Sequence, residues 1–308
     1  MSKKIFISAS TFAEHGKESL NLLEQNGFEY FINPLGRRLV QEEIIKMGKD
    51  SEGAIAGLEP YDDYVIDHLP QLRCISRCGV GLDNIALSKA KQKGIAVFNT
   101  PSVVIQPVAE LTIAMFFDLL RNLSFHTALL KSGKWQKVSG NLLSGAKVGI
   151  LGLGRIGRRV VELLNRLEAD LYGADMVIDD AWAKSNNLKV LPVRELLSVV
   201  DIISIHLSDN AADSFKLDRE KISLMKRGAA VINTSRGKFI DENALYDALS
   251  SKYLSAAALD VFSKEPYRGK LFELDNVILT PHVGTLTRES RLAMEVEATK
   301  NLINFFRS

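Results

Sequence analysis

A short apolar run, residues 148–151, leads directly into Gly152-Leu153-Gly154-Arg155-Ile156-Gly157, and a helix-like stretch, 156–167, starts inside those glycines. Few folds accept that junction. In one that does, the first glycine makes a tight turn, the second lets backbone amides approach a pyrophosphate, and the third lets helix and strand pack closely. Asp175 ends the next strand candidate 18 residues beyond Gly157, near the spacing of about 20 at which an acid accepts hydrogen bonds from ribose hydroxyls. Arg155, Arg158 and Arg159 crowd the first helical turns. There the helix dipole disfavours cations by about 0.3–1 kcal/mol each, a conflict that an anion from outside removes. The pattern predicts a dinucleotide site built on Gly152, Gly154, Arg155, Ile156, Gly157 and Asp175. No cation follows Asp175 in Met176-Val177-Ile178 to meet a 2′-phosphate, which favours NAD over NADP.

The alternation of strand and helix extends along the chain. Short β-branched runs at 4–8, 28–32, 54–57, 74–78 and 96–99 are separated by amphipathic segments such as 18–25. A second series has six strand candidates, at 147–151, 171–174, 201–207, 229–235, 255–259 and 276–280. Such alternation builds parallel sheets covered by helices, and six strands is the count of a full dinucleotide fold. The 24 residues after Gly284 form one helix, with Leu286, Leu292, Met294 and Val296 as core candidates, and are too few for a domain. The expected fold class is therefore α/β, with two doubly wound parallel-sheet domains. Residues 1–99 plus 284–308 make a substrate domain, and residues 100–283 make a Rossmann dinucleotide-binding domain inserted into it. Residues 107–123 are apolar on nearly every helical face, so that helix must be buried in a core or in a subunit interface.

Composition excludes other classes. The 308 residues are 46% hydrophobic with a formal charge of +2, which argues against disorder, and no basic arm or stripe is present to bind nucleic acid. The most apolar stretch, 108–123, is interrupted by Glu110, Asp118 and Arg121, so a membrane span of about 20 apolar residues is not expected. Only Ile5, Phe6 and Ile7 separate Lys4 from Ser8, too short a run for a signal peptide, and the cytoplasm is the expected location. Cys74 and Cys78 are spaced for neither a redox pair nor a zinc half-site and read as two buried free thiols. No metal is expected.

In an open parallel sheet, ligands bind beyond the carboxyl ends of the strands. Three strands of the second series end there in chemically useful groups: Arg236 after 229–235, Asp260 after 255–259, and His282 after 276–280, with Glu265 in the loop beyond Asp260. Hydride transfer to a ketone must be matched by a proton, and histidine titrates near the working pH. Glu265 beside His282 would raise its pKa and orient the ring. Arg236 would polarise a carbonyl or grip a carboxylate in a bidentate pair. Taken singly, these residues also read as a surface ion pair, a helix cap and a structural histidine. His206, also at a strand end, is a rival proton donor, and His15, His68 and His126 read as structural.

With these residues in place, the chain resembles the D-isomer-specific 2-hydroxyacid dehydrogenases over essentially its whole length. The carrying motifs are Gly79-Val80-Gly81-Leu82-Asp83-Asn84-Ile85, the Gly152–Gly157 fingerprint, Asn233-Thr234-Ser235-Arg236-Gly237, Ala258-Leu259-Asp260-Val261-Phe262 with Glu265-Pro266, and Thr280-Pro281-His282. The resemblance implies that Arg236, Glu265 and His282 are catalytic, and that Asp260 holds the nicotinamide carboxamide. It also implies that His206 and Thr234 line the cofactor, that the backbone of Val80 and Gly81 receives the substrate carboxylate, and that the chain is a homodimer through the 107–123 helix. The stretch 77–84 looks most like 3-phosphoglycerate dehydrogenases, a resemblance that implies a substrate phosphate facing Arg77; the other reading of Arg77 is a surface strand residue. Unphosphorylated 2-keto acids such as glyoxylate and hydroxypyruvate are the alternative substrates, and a non-catalytic NAD-sensing protein is the alternative from another class. Val103-Val104, Pro107 and Leu207-Ser208 depart from the usual residues and imply differently shaped loops. The sequence ends at Ser308, so no C-terminal effector-binding module is expected.

Overall fold

The computed structural model describes residues 2–208 and 215–308. The chain divides into two compact units, Met1–Val104 with Thr285–Ser308, and Ile105–Gly284. In the first, β1 (Lys4–Ile7), β2 (Glu29–Ile32), β3 (Gly53–Ala56), β4 (Cys74–Arg77) and β5 (Ala96–Phe98) form a sheet in the order β2-β1-β3-β4-β5. Every pairing in it is parallel. Ile5, Phe6 and Ile7 are all buried, as are Ala54, Ile55 and Ala56. Consecutive burial is what a sheet covered on both faces requires.

Helix Arg288–Arg307 belongs to this unit and packs on β3, β4 and β5. It buries Met294, Ala298, Leu302 and Ile303, and the Ser76 hydroxyl donates to the carbonyl of Ala298 at 2.7 Å. Of the four core candidates in this segment, Leu286 is 59% exposed and precedes the helix, while Leu292 and Val296 are half-buried. The helix that follows turns a different face inward, with Ala298 and Thr299 allowing close approach. Cys74 and Cys78 are free and buried, and burial pushes both thiols up to about 12.

The second unit holds β6 (Lys147–Leu151), β7 (Asp170–Ala174), β8 (Lys189–Val190), β9 (Ile202–Ile205), β10 (Ala230–Asn233), β11 (Ala256–Leu259) and β12 (Val277–Leu279). Their order is β12-β11-β10-β9-β6-β7-β8, again with parallel pairings. Alternate residues supply the two faces: Val148, Ile150, Ile202, Ala230 and Ile232 one core, Leu151, Ile203, Ile205, Val231 and Leu259 the other. The two-residue strand β8 was not expected. It lies at the sheet edge with both residues exposed, so it carries no apolar run to betray it.

The apolar 107–123 stretch becomes helix Ile105–Arg121, a break at Asn122 with φ 52°, and helix Leu123–Lys131. The first buries Val108, Ala109, Thr112, Met115, Phe116 and Leu120 but leaves Ala114 and Phe117 exposed; the second buries no residue. Pro107 sits in the first turn, where its missing N–H has no helical partner to lose. Among the described residues, no helix is long and apolar enough to cross a membrane, and no group of three or more His, Cys, Asp or Glu is placed to hold a metal.

Candidate active site

The glycine loop joins β6 to helix Arg155–Arg166. Gly152 has φ +98°, and a Cβ there would lie 2.6 Å from the carbonyl oxygen of His206. A Cβ on Gly157 would collide with the carbonyl of Gly152, whereas Gly154 faces open space. The helix has no side-chain cap, and its first intrahelical bond runs from the Arg158 amide to the Gly154 carbonyl. The amides of Arg155, Ile156 and Gly157 are therefore left for a ligand. Asp175 stands at the end of β7, its carboxylate accepting from the amides of Leu153 at 2.5 Å and Met176 at 2.6 Å. This cradle fits a dinucleotide.

The helix dipole conflict is smaller than the sequence suggested. Arg158 pairs with Asp179 at 3.1 Å and lies over the Trp182 ring, and Arg159 pairs with Glu162 and Gln106. Arg155 alone is exposed with no ion pair among the described residues. His206 is buried beside the loop with Nε2 2.8 Å from Ser204 Oγ, and its Nδ1 has no partner among the described residues. Burial pushes its pKa down to about 3, so it stays neutral at working pH. The other cofactor candidate, Thr234, is buried with its hydroxyl 3.0 Å from that of Thr112 on helix Ile105–Arg121.

The ends of β10, β11 and β12 bring the three chemical groups toward one edge. Asn233, fully buried, accepts from the Ser235 amide and hydroxyl and donates to the Arg236 carbonyl at 2.8 Å. It thereby shapes the turn that presents Arg236. Gly237 lies against the backbone of Phe262 and Ser263, where a Cβ would collide, so this turn touches the loop carrying Glu265. Glu265 accepts from the Phe262 amide at 3.1 Å, and its Oε2 lies 2.8 Å from His282 Nδ1. Burial, the largest influence, pushes the Glu265 carboxyl up. The His282 hydrogen bond and charge, the Phe262 amide and the Arg236 charge together bring it below the ordinary carboxylate range.

His282 itself has φ +55°, a left-handed conformation that costs a non-glycine residue about 1–3 kcal/mol and persists only where its surroundings enforce it. The enforcing group is Asp260, 1% exposed. Its carboxylate accepts from Thr280 Oγ1 at 2.5 Å and from the amides of Val283 and Gly284, each at 2.8 Å. Sequence reasoning assigned no role to Asn233, Thr112 or Thr280. Their signal was present in each case: a small polar residue at a buried position next to a strand end, or inside an apolar helix.

The remaining candidates lie in the first unit. Arg77 ends β4 and is 9% exposed, with its guanidinium lying against the α-carbon of Gly79. It is not a surface strand residue. The Gly79 amide donates to Thr100 Oγ1 at 2.7 Å and the Val80 carbonyl accepts from Asn99 at 2.7 Å. The amides of Val80 and Gly81 make no hydrogen bond to a described residue. Nearby at the carboxyl end of β3, Glu59 is buried and accepts from the Gly57 amide at 2.7 Å and from the Ser8 hydroxyl, which also lies 2.8 Å from the Tyr61 hydroxyl. Asn84 donates to the carbonyls of Gly57 and Glu59.

Residues 113–284 match the sequence model of the D-isomer specific 2-hydroxyacid dehydrogenase NAD binding domain. A D-3-phosphoglycerate dehydrogenase of Methanocaldococcus jannaschii is 38% identical over 83% of the chain, which spans half of that relative's length. A glyoxylate reductase of Pyrococcus furiosus is 31% identical over the whole chain and 93% of its own length. Among solved structures, D-lactate dehydrogenase from Aquifex aeolicus, complexed with NAD and lactic acid, superposes with a TM-score of 0.86 at 27% identity, covering 99% of this chain and 96% of that one. With a matching NAD-binding domain and a full-length relative above 30% identity, the chain belongs to the D-isomer specific 2-hydroxyacid dehydrogenase family.

Proposed function

We propose that the chain interconverts 3-phosphoglycerate and 3-phosphohydroxypyruvate. The observation that carries the chemistry is the 2.8 Å contact between Glu265 Oε2 and His282 Nδ1, with Arg236 close enough to act on Glu265 electrostatically. The Gly152–Gly157 loop and Asp175 would hold NAD, which would supply the hydride acceptor for oxidation and, reduced, the hydride donor for reduction. Glu265 holds Nδ1–H of His282, which leaves Nε2 to take the proton of the hydroxyl group in oxidation and to return it to the carbonyl oxygen in reduction. Arg236 supplies a fixed cation for the carbonyl oxygen or the adjacent carboxylate. The unpaired amides of Val80 and Gly81 support a carboxylate-receiving role for that loop. The phosphate reading rests on Arg77 and on the 38% identity to a D-3-phosphoglycerate dehydrogenase.

A second reading, reduction of glyoxylate or hydroxypyruvate, is favoured by the glyoxylate reductase that aligns over the whole chain. Rates of NADH oxidation with phosphohydroxypyruvate, hydroxypyruvate and glyoxylate separate the two. The first reading expects the highest kcat/KM for the phosphorylated acid; hydroxypyruvate equal to or above it removes the phosphate role of Arg77.

The same proposal includes a homodimer. Helix Leu123–Lys131 buries no residue, and Leu123, Leu130, Trp135 and Leu142 are exposed, Trp135 by 82%. An apolar surface of this kind is covered by a partner in a soluble assembly. Light scattering at micromolar concentration is expected to give twice the chain mass, and a one-chain mass would remove the dimer.

A further inference from the structure

The loop from Thr280 to Gly284 is fastened to one carboxylate on both sides of His282. Asp260 Oδ1 accepts from Thr280 Oγ1 before the histidine and from the Val283 amide after it, and Oδ2 accepts from the Gly284 amide. The amide of His282 donates to the carbonyls of Asp260 at 2.9 Å and Thr280 at 3.0 Å. A Cβ on Gly284 would lie 3.1 Å from Asp260 Oδ2, so the closing residue is small where the clamp is tightest. Among the described residues, Thr280 Oγ1 is the one side-chain donor to this carboxylate; the other donors are main-chain amides. The orientation of Asp260 therefore depends on a hydroxyl that a single substitution can remove.

We propose that Thr280 is a positioning residue, whose hydroxyl locks the Asp260 carboxylate so that His282 keeps the left-handed backbone directing Nδ1 to Glu265. This rests on the reading of His282 as the proton-transfer group. Burial, the largest influence, raises the Asp260 carboxyl; Thr280, the amides of Val283 and Gly284 and the His282 charge oppose it. Loss of the hydroxyl leaves burial less opposed, so Asp260 protonates at higher pH and the clamp loosens there.

The test compares wild type, Thr280→Val and Thr280→Ser. Thr280→Val is expected to lower kcat by about 10²-fold, the scale for misplacing a catalytic group by about 1 Å. The acidic limb of the kcat profile should move to higher pH. Thr280→Ser, which keeps the hydroxyl, is expected to restore rate and profile. Proton NMR supplies a readout independent of turnover: the downfield resonance of the His282 Nδ1–H bonded to Glu265 should shift or vanish in Thr280→Val and persist in Thr280→Ser. A folded Thr280→Val with unchanged kcat, pH profile and resonance overturns the proposal. Uniform loss of rate in both variants, with no displaced limb, also overturns it, as a merely structural role. If Thr280→Val fails to fold, Thr280→Ala takes its place. Wild type inactive on every acid would sink the functional reading, while the resonance would still decide the role of Thr280.

Discussion

The carboxyl ends of the two parallel sheets are both rich in polar residues and deploy them in opposite directions. At β10, β11 and β12, polar side chains hold other polar side chains in place: Asn233 shapes the Arg236 turn, Thr280 holds Asp260, and Glu265 holds His282. At β1, β3 and β4 the polar side chains turn inward. Ser8, Glu59 and Tyr61 satisfy one another, Asn84 takes up the carbonyls of Gly57 and Glu59, and backbone amides at Val80 and Gly81 are left without partners among the described residues. In the proposed function one edge supplies reactivity and the other a rigid main-chain shape. Damage to the first should fall on turnover, and damage to the second on stability and substrate affinity.

The largest expected effect tests the reactive edge. Replacing His282 by Ala removes the proposed proton-transfer group and is expected to lower kcat by about 10³-fold, roughly 4 kcal/mol of barrier. NADH affinity, measured by fluorescence titration, should be nearly unchanged. Retained turnover would end the contrast between the edges, because the chemistry would then lie elsewhere.

A smaller effect is expected at the other edge. Glu59→Ala strands the Gly57 amide in a buried setting, at about 1–3 kcal/mol, while the Ser8 hydroxyl keeps the Tyr61 hydroxyl and the Ile55 carbonyl as partners. Denaturant titration should show a loss of about 2 kcal/mol, with KM for the keto acid raised and kcat close to wild type. A loss of kcat as large as that of His282→Ala would show that both edges serve the chemistry directly.

The sequence exposed the skeleton of this arrangement more readily than its supports. Strands such as β9 and β10 announced themselves as buried β-branched runs, and the glycine fingerprint fixed where the second sheet begins. Strand β8 did not, because two exposed edge residues have no periodicity. The break at Asn122 had a signal, since asparagine tolerates the left-handed conformation, but the continuous apolar pattern masked it. Leu286 read as core because hydrophobicity alone cannot place a residue that precedes its helix. The proximity of Glu265 and His282 could be inferred from loop length and strand order. Glu59 could not: an acid in a short turn reads as solvated until three-dimensional neighbours supply its donors. Arg77 likewise resembles a surface residue by type, and its guanidinium occupies the space that a side chain at Gly79 would fill.

The two buried thiols have a practical consequence for every measurement above. Because alkylating reagents attack the thiolate, Cys74 and Cys78, held up to about 12, offer them almost nothing while the chain is folded. A cysteine introduced at an exposed position would thus be labelled selectively, giving a fluorescent reporter without first deleting native residues. The natural sulfurs serve the opposite purpose. Their labelling rate under mild denaturant times the opening of the sheet that buries them, so a maleimide trace reads unfolding of the first unit apart from any assay of turnover.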